Sequence, residues 1–366
     1  MGEILHPSKY IDPRYVDVIR SNAAEAEQGG MLNAPSLEIV CKEKWFRLLV
    51  PEVYNGREIT LPELVRLQEA ISWIDGSTGW VVTLCSGAGW FGGFIDPEAA
   101  KVIFNAENVC LAGSGAASGT AEKTGEGYLL KGTWNYASGA HHATHFTANC
   151  FITQNGEKIL DETGEPIILP FVVDKKDVTL LPTWKYMGMV ATGSHSFEMK
   201  DVQISANRCF KIDAGHAKVA GKLYQYPFMQ LAEATLAVNL SGMAVHFVDL
   251  CRDVFDERKA HPRITPSQHQ LMNQTLLDNT EELNLARMAL FAAVDVSWEE
   301  TIDTNLKEVS RTSRILAAKV REVVAALYPY CGLKAAETGT ELNRVWRDLH
   351  TAGQHSLLTF LDVADD

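Results

Sequence analysis

The sequence predicts a mainly α-helical protein with a β domain in the middle of the chain. Helix-capping signals and apolar helical faces dominate the first 108 residues, and short β-forming runs separated by turn residues fill positions 109–205. Long helical segments follow from 206 to the end. We therefore expect a helical domain at 1–108, a β domain at 109–205 and a helical bundle at 206–366.

The composition narrows the cellular setting and the partners. Hydrophobic residues make up 46% and charged residues 22% of the 366 positions, which is enough for sizeable cores. The formal net charge of -13 disfavours nucleic acid and anionic membranes as partners. No signal peptide and no apolar run of about 18 residues is visible, so no membrane span is predicted. The seven cysteines are scattered without a C-x-x-C pair, which favours a cytoplasmic protein without disulfides or a zinc site.

Local signals mark helices in the first domain. The capping box at 60–63 predicts a helix that ends in a turn cluster at 75–79, and Asp96-Pro97 predicts the start of another helix. The apolar, glycine-rich segment 81–94 is predicted to be a buried helix against which another element packs closely.

The middle domain contains β-forming runs such as 128–130, 146–152 and 167–173, which are bounded by Gly, Pro, Asn and Asp. They predict a small antiparallel barrel or sandwich of six to eight strands. In the last domain, helices are predicted at the following positions: about 230–259, 266–298, 305–327 and 341–362. Helices of roughly 30 residues, about 45 Å long, joined by short links indicate a four-helix bundle.

A glycine-rich segment opens the β domain as Gly113-x-Gly115-x-x-x-Gly119. A dinucleotide-binding fingerprint requires a helix to begin inside the glycines so that its N-terminus meets the phosphates. Here a turn and another strand follow. The pattern therefore favours a segment that lies close to a ligand or to another backbone over a Rossmann-type site.

A second pattern, Trp134-x-Tyr136-x-Ser138-Gly139, has the spacing of one strand face. It places an indole, a phenol and a hydroxyl in one row, with Gly139 leaving room beside them. Such a row can contact a flat ligand such as a flavin ring. An aromatic core stripe followed by a turn-forming serine is the alternative that the spacing leaves open.

Two groups of histidines are candidates for chemistry. His141, His142 and His145 have no carboxylate or cysteine at ligand spacing, so no metal site is predicted. His350 and His355 lie on the predicted last helix about 140° apart, so at most one of them faces a given site. Histidine is the usual general base near neutral pH. A solvent-facing or subunit-contact stripe is the alternative for this helix.

These motifs together resemble the acyl-CoA dehydrogenase fold and, within it, the oxygenase components of two-component flavin-dependent monooxygenases. The resemblance covers nearly the whole chain, and its motifs occur in family order. They are the segments 75–80, 112–116, 132–143 and Trp346-Arg347-Asp348 with the histidines that follow.

The resemblance implies a helical N-terminal domain, a central antiparallel β-barrel or sandwich and a C-terminal four-helix bundle, usually in a homotetramer. It implies reduced FMN or FAD that a separate NAD(P)H:flavin reductase supplies. Oxygen then reacts through a C4a-hydroperoxyflavin to oxygenate a small-molecule substrate, which is aromatic in several members of the family.

The resemblance also implies roles for individual residues. Ser138 would bond flavin N5 and protect the reactive cofactor, and Trp80 would lie along the flavin ring. By motif position Ser114 would face the substrate pocket, and it is also a candidate cofactor contact. From the residues themselves, Trp134 and Gly139 are expected at the cofactor, and Trp90 is expected in an aromatic-lined substrate pocket, with a core position as its alternative. The base that activates a phenolic substrate would be His355, with His350 as the second candidate.

The chain departs from the true dehydrogenases of this fold, because the glutamate segment that supplies their base is absent after Arg347-Asp348. The Gln-Arg-x-x-Phe-Gly-type segment that reaches FAD phosphates is also absent, which leaves Arg263 and Arg347 as phosphate candidates and FMN versus FAD open. An FAD-dependent, acyl-CoA dehydrogenase-like oxidoreductase is the alternative function. A non-catalytic relative that has lost flavin is the third.

Overall fold

The computed structural model describes residues 4–259 and 261–360. Helices come first, a sheet follows, and further helices complete the described chain, as the sequence predicts at this level. The first helices are α1 Pro13–Gly29, α2 Ala34–Lys42, α3 Leu61–Ile74, α4 Gly76–Gly89 and α5 Pro97–Phe104. The strands are β1 Leu111–Thr124, β2 Gly127–Ala137, β3 His145–Gln154, β4 Glu157–Lys158, β5 Ile168–Asp174, β6 Thr179–Leu181 and β7 His195–Ile204. The remaining helices are α6 Lys222–Gln225, α7 Phe228–Lys259, α8 Pro266–Glu299, α9 Asp303–Leu327 and α10 Glu341–Ala352.

Capping chemistry sets the starts of several helices. In the predicted box before α3, the Thr60 hydroxyl accepts from the Glu63 backbone N–H and the Glu63 carboxylate accepts from the Thr60 N–H. The turn predicted at 75–79 is wrong. The Asp75 carboxylate accepts from the Thr78 N–H at 2.8 Å and so starts α4 directly at Gly76.

The strands form one mixed sheet in the order β4-β3-β1-β2-β7-β6, with β5 paired to β3. The prediction of an all-antiparallel domain is wrong at one pair, because β1 and β3 run parallel. β2 runs antiparallel to β1 along one of its edges. The chain then crosses to the opposite edge of β1, where β3 runs in the same direction as β1. The glycine-rich segment lies within β1, which continues as a strand to Thr124, so no helix begins there.

Helix α7 forms the centre of the helical core. It packs against α3, α4, α8, α9 and α10. By length and apolar composition it is the one helix of the described chain that could cross a membrane, but its apolar stretch is almost entirely buried inside the protein. It is therefore a core helix.

The last helix is shorter than the sequence predicts. Helix α10 ends at Ala352, where the Gly353 N–H donates to the Leu349 carbonyl, and a 3-10 turn follows at Ser356–Leu358. The predicted helical segment 353–360 is therefore wrong, and the rest of that prediction lies outside the described residues.

Candidate active site

Two adjoining cavities lie where α4, the sheet and the segment after α10 meet. The larger cavity has a volume of about 740 Å³, and the smaller one has a volume of about 530 Å³. Leu84 and His355 line both of them. A molecule in one cavity can therefore approach a molecule in the other next to His355.

Aromatic side chains form the walls of the smaller cavity. Trp80 of α4, Tyr136 at the end of β2, and Trp184 and Tyr186 from the loop before β7 line it. The Trp184 and Tyr186 rings lie 4.0 Å apart between centroids and are inclined by 30°. Flat apolar walls of this kind suit a planar, conjugated ring system.

Hydroxyl groups provide the polar side of the smaller cavity. The Trp80 Nε1–H donates to the Ser138 hydroxyl at 3.1 Å, and Ser138 and Ser194 share a hydrogen bond of 2.8 Å. Ser194 is bonded in turn to the Thr192 hydroxyl at 2.7 Å. Ser138, Ser194 and Thr192 are all buried. Trp80 and Ser138, both predicted cofactor contacts, thus lie together at the smaller cavity.

The predicted row of Trp134, Tyr136 and Ser138 on one strand face is wrong. An irregularity in the pairing of β2 with β7 falls between Trp134 and Ala137, and Tyr136 has a φ of 65°. Tyr136 is therefore 61% exposed while Trp134 is fully buried. The Trp134 indole stacks on Phe197 in the sheet core and lines neither cavity, so its assignment as a cofactor contact is corrected to a core residue.

Gly139 also lies away from both cavities. It has a φ of 75°, and a Cβ there would lie 2.7 Å from the Cys85 sulfur of α4. Its N–H donates to the Thr192 carbonyl at 2.8 Å. Gly139 therefore lets the loop after β2 pack against α4 and hold Thr192, which corrects the prediction of direct cofactor contact.

The predicted substrate residues line the larger cavity. Ser114 lies on its β1 wall. Trp90, which is buried, also lines this cavity and donates from Nε1 to the Leu223 carbonyl. Phe91 and Phe228 provide further aromatic surface. Ser114 does not line the smaller cavity, so the structure separates it from Trp80 and Ser138 and does not support the cofactor half of its assignment.

His355 lies at the junction of the cavities, outside the helix on which it was predicted. It precedes the 3-10 turn at Ser356–Leu358, and its Nδ1 accepts a long hydrogen bond of 3.4 Å from the Leu357 N–H. Its ring lies 5.9 Å from that of Trp80. Burial lowers the pKa of His355 below its ordinary value of 6.5, so the ring is neutral at pH 7.

His350 occupies a different position. It remains on α10 and lines the smaller cavity but not the larger one, and its ring lies 4.1 Å from that of Trp346 between centroids, inclined by 34°. Its Nδ1–H donates to the Trp346 carbonyl at 2.8 Å, which leaves Nε2 as the acceptor in the neutral ring. His350 therefore has the tautomer of a base, whereas His355 has the position next to both cavities.

Arg347 and Asp348 each form a hydrogen bond to the backbone of the loop that lines the smaller cavity. The Asp348 carboxyl accepts from the Met189 N–H, and Arg347 donates to the Met187 carbonyl at 2.6 Å and pairs with Glu27 of α1. These contacts occupy Arg347, so its assignment as a phosphate contact is replaced by a structural one. Arg263 is exposed in the α7–α8 link and lines neither cavity.

The histidines near 141–145 make separate contacts. His145 pairs with Asp174 at 3.1 Å, His141 packs edge-to-face on His195, and burial lowers the pKa of His142 to about 4. Within the described residues no three His, Cys, Asp or Glu side chains are grouped to hold a metal.

Sequence reasoning missed Thr192, Ser194 and Trp184. Thr192 and Ser194 flank Gly193, which has a φ of 51°, in the short loop directly before β7. A Thr-Gly-Ser segment directly before a strand is a signal of the same kind as the small-residue segments around Ser114 and Ser138. The contact of Ser194 with Ser138 depends on strand pairing between distant segments, which the sequence does not display.

Comparison with known proteins finds similar proteins over nearly the whole length of this chain. The family described as "Acyl-CoA dehydrogenase, C-terminal domain" matches residues 234–360. The flavin-dependent monooxygenase oxygenase subunit HsaA of Rhodococcus jostii is 24% identical over 364 residues, covering 92% of this chain and 91% of that protein. Indole-3-acetate monooxygenase of Acinetobacter baumannii is 23% identical, covering 93% and 87%.

A solved structure shows the same fold. XiaF from a Streptomyces species, in complex with FADH2 and glycerol, superposes with a TM-score of 0.86 at 21% identity, covering 96% of this chain and 92% of that one. This chain therefore has the fold of XiaF, and its residues 234–360 are similar to the acyl-CoA dehydrogenase C-terminal domain. Its relatives are oxygenase components of flavin-dependent monooxygenases, as the motifs from 75–80 to the C-terminal histidines indicate.

Proposed function

We propose that this chain is the oxygenase component of a two-component flavin-dependent monooxygenase. It takes reduced FMN or FAD from a separate NAD(P)H:flavin reductase and transfers one oxygen atom of O2 to a small aromatic substrate. The observation that carries this proposal is the junction of two cavities at His355. One cavity has flat aromatic walls and buried hydroxyls, and the other is apolar and aromatic.

The residues of the smaller cavity fit a flavin ring. Trp80, Trp184 and Tyr186 provide apolar faces, and Ser138 provides a hydroxyl that can bond a ring nitrogen. When bound, reduced flavin supplies the two electrons with which one oxygen atom reaches the substrate and the other leaves as water. The chain holds the ring at Trp80 and Ser138, excludes water with its aromatic walls, and exchanges a proton with the substrate at His355.

The acyl-CoA dehydrogenase-like alternative is disfavoured by the residues available as a base. No glutamate is among the described residues that line either cavity, and Asp213 is the one carboxylate there. Asp213 pairs with His216 at 2.6 Å on the protein surface, where the hydrogen bond with His216 lowers the pKa of the Asp213 carboxyl. Removing a proton next to an acyl thioester calls for a buried, basic carboxylate instead.

The proposal is tested with flavin binding and oxygen transfer measured separately. Purified protein is titrated anaerobically with dithionite-reduced FMN and FAD, and turnover with a flavin reductase under 18O2 is followed by mass spectrometry of candidate phenols and indoles. Binding of reduced flavin and 18O in the product are expected. Tight binding of oxidised FAD with bleaching by substrate would favour the dehydrogenase alternative, and binding of neither flavin form would favour a non-catalytic relative.

Ser138→Ala gives a sharper version of this test. Losing the hydroxyl removes a polar contact to the cofactor and leaves the Trp80 indole N–H without its acceptor. We expect the variant to release more H2O2 per flavin oxidised and to form less product. Ser118→Ala is the matched control, because that exposed hydroxyl bonds only the Thr133 carbonyl. An unchanged ratio of H2O2 to product in Ser138→Ala would contradict the role assigned to Ser138.

We further propose a cytoplasmic homotetramer in which residues 1–108, 109–205 and 206–366 act as domains and the last forms a four-helix bundle. Four exposed apolar residues along α8 support a contact with a second copy: Leu271, Leu277, Leu285 and Val296. Light scattering after size-exclusion chromatography tests the oligomer, and replacing Leu277 and Leu285 with Gln is expected to weaken it.

The cytoplasmic location is supported by the seven free cysteines, which suit a reducing compartment.

A further inference from the structure

A single direction satisfies every hydrogen bond in the row of hydroxyl groups formed by Ser138, Ser194 and Thr192. At its far end, the Thr192 hydroxyl lies 2.7 Å from the Met189 carbonyl. A carbonyl oxygen has no hydrogen to donate, so the Thr192 hydrogen points to Met189. The bond between Thr192 and Ser194 must then use the Ser194 hydrogen, and the bond between Ser194 and Ser138 must use the Ser138 hydrogen.

The hydrogen bond between Trp80 and Ser138, at the cavity end of the row of hydroxyls, is consistent with this direction. The Trp80 indole nitrogen is a donor only, and it donates to the Ser138 oxygen at 3.1 Å. Ser138 thus donates to Ser194, accepts from Trp80, and retains one lone pair at the smaller cavity, which it lines. In this arrangement its hydroxyl can accept one more hydrogen bond and has no hydrogen left to donate.

We infer that Thr192 and Ser194 are positioning residues that hold the Ser138 hydroxyl as an acceptor toward the flavin, so that the site discriminates between the two redox forms of that cofactor. This inference rests on the proposed function. A reduced flavin carries a hydrogen on N5 and can donate it to Ser138. An oxidised flavin presents only a lone pair at N5, which leaves two acceptors facing each other and weakens its binding.

Burial of the three hydroxyl groups stabilises this direction of their hydrogen bonds. Ser138, Ser194 and Thr192 are 5%, 3% and 1% exposed, so water cannot readily replace a broken bond. If the Ser138 hydroxyl turned its hydrogen toward the cavity, the buried Ser194 oxygen would lose the hydrogen bond that it accepts from Ser138. The discrimination therefore depends on Thr192, which does not line the smaller cavity, and on Ser194, which does, and a change at either residue alters it without removing Ser138.

The experiment compares dissociation constants for oxidised FMN and for dithionite-reduced FMN, measured anaerobically, in wild type, Ser194→Ala and Thr192→Val. In Ser194→Ala the Ser138 hydrogen is free to turn toward N5. In Thr192→Val the Ser194 hydrogen turns to Ser138 and frees it in the same way. We expect the ratio of oxidised to reduced dissociation constants to fall roughly 3- to 10-fold in both variants, since one hydrogen bond changes.

Two further variants separate positioning from folding. Ser194→Thr retains the hydroxyl and is expected to keep the wild-type ratio. Ser196→Ala removes a neighbouring buried hydroxyl that bonds Asn135 and Thr183 outside the row of hydroxyls, and it is also expected to keep the ratio. The midpoint potential of bound flavin gives a second readout, and a 3- to 10-fold fall in the ratio corresponds to a decrease of about 15–30 mV.

Several results would overturn the inference. An unchanged ratio in Ser194→Ala and Thr192→Val is one, and equal weakening of both redox forms, the sign of a merely structural role, is another. A wild-type protein that binds both forms equally would overturn the inference and leave the proposed function standing. A wild-type protein that binds neither form would overturn both.

Discussion

We propose that proton transfer to or from the substrate depends on His355. It lines both cavities, and burial keeps it neutral at pH 7 by lowering its pKa. Its Nδ1 accepts from the Leu357 N–H, which places the ring hydrogen on Nε2. The bond of 3.4 Å is long, so the ring can exchange this cap for a bond to substrate at small cost.

His355→Asn tests this role while preserving the cap, because an asparagine oxygen is also a good N-cap acceptor. We expect the rate of product formation from a phenol in a single turnover to fall about 10²- to 10⁴-fold, the usual contribution of a general acid or base. For the wild type, the rate is expected to be flat above pH 7 and to fall below pH 6.5 as the ring becomes protonated. His350→Gln is the matched comparison, because His350 lines only the smaller cavity. A larger loss in His350→Gln than in His355→Asn would reverse the two assignments.

Asp348 carries a prediction about stability and pH. Burial, with a smaller contribution from the charge of Asp75, raises the pKa of its carboxyl from 3.8 to about 8. A raised folded-state pKa means that the stabilising contribution is complete below pH 4 and is lost as the pH rises toward 8.

Asp348→Asn removes this titration and keeps an oxygen that can accept from the Met189 N–H. The free energy of unfolding of the variant relative to wild type should rise between pH 4 and 8, by up to about 1.4 kcal/mol per pH unit. Urea unfolding at pH 5, 6.5 and 8 measures it. Asp253→Asn, at an exposed site on α7, serves as the control. A difference that does not change with pH would show that Asp348 is ionised throughout this range.

Among the elements, the crossing of α3 and α7 sets the spacing of the helical core. A Cβ at Gly242 of α7 would lie 2.2 Å from the Glu69 carbonyl oxygen and 2.8 Å from the Trp73 nitrogen of α3. Backbone atoms cannot move aside as a flexible side chain does. The two helices therefore approach this closely only because position 242 lacks a side chain.

Gly242→Ala is expected to lower the free energy of unfolding by about 1–3 kcal/mol, as overpacking of a core does. Gly87→Ala is the matched control, since it lies in the neighbouring helix α4 with no atom within 4 Å of the added Cβ. There alanine should be neutral or stabilising by up to about 1 kcal/mol through helix propensity. Chemical denaturation of the two variants compares them, and equal stability would contradict the close approach of α3 and α7.

The elements also show why some features were predictable. The cap at Thr60 and the helix start at Thr265-Pro266 depend on residues three positions apart, so the sequence displays them. The parallel pairing of β1 with β3 and the irregularity beside Tyr136 depend on distant partners, so strand spacing alone placed Trp134 on the wrong face. The same limit hid the contact of Ser138 with Ser194, although both residues stand in recognisable small-residue loops.

For the whole molecule, the arrangement of the three regions creates the junction between the cavities. Helix α4 supplies Trp80 and Leu84, the sheet supplies Ser114 and Ser138, and the chain after α10 supplies His355. These residues are up to 275 positions apart, between Trp80 and His355. Motifs therefore predicted several residues that line these cavities, while the division of the space into two cavities required the fold.

The charge of the whole molecule predicts a preference for substrates without a carboxylate. The net charge is -13, and no lysine or arginine is among the described residues that line the larger cavity, where Asp213 adds a negative charge. An anion placed there loses hydration and gains no ion pair. We therefore expect indole to bind at least about tenfold more tightly than indole-3-acetate, measured by isothermal calorimetry at pH 7.5.

Gln225→Arg adds the missing cation at the wall of this cavity. It should strengthen the binding of indole-3-acetate by roughly 3- to 10-fold and leave indole nearly unchanged, because an exposed ion pair contributes modestly. Gln225→Met, of similar size and without charge, should not favour the acid. The gain should shrink at 0.5 M salt, since screening shortens the range of the added charge. Tighter binding of the acid than of indole by the wild-type protein would show that a cation from outside the described lining reaches the cavity.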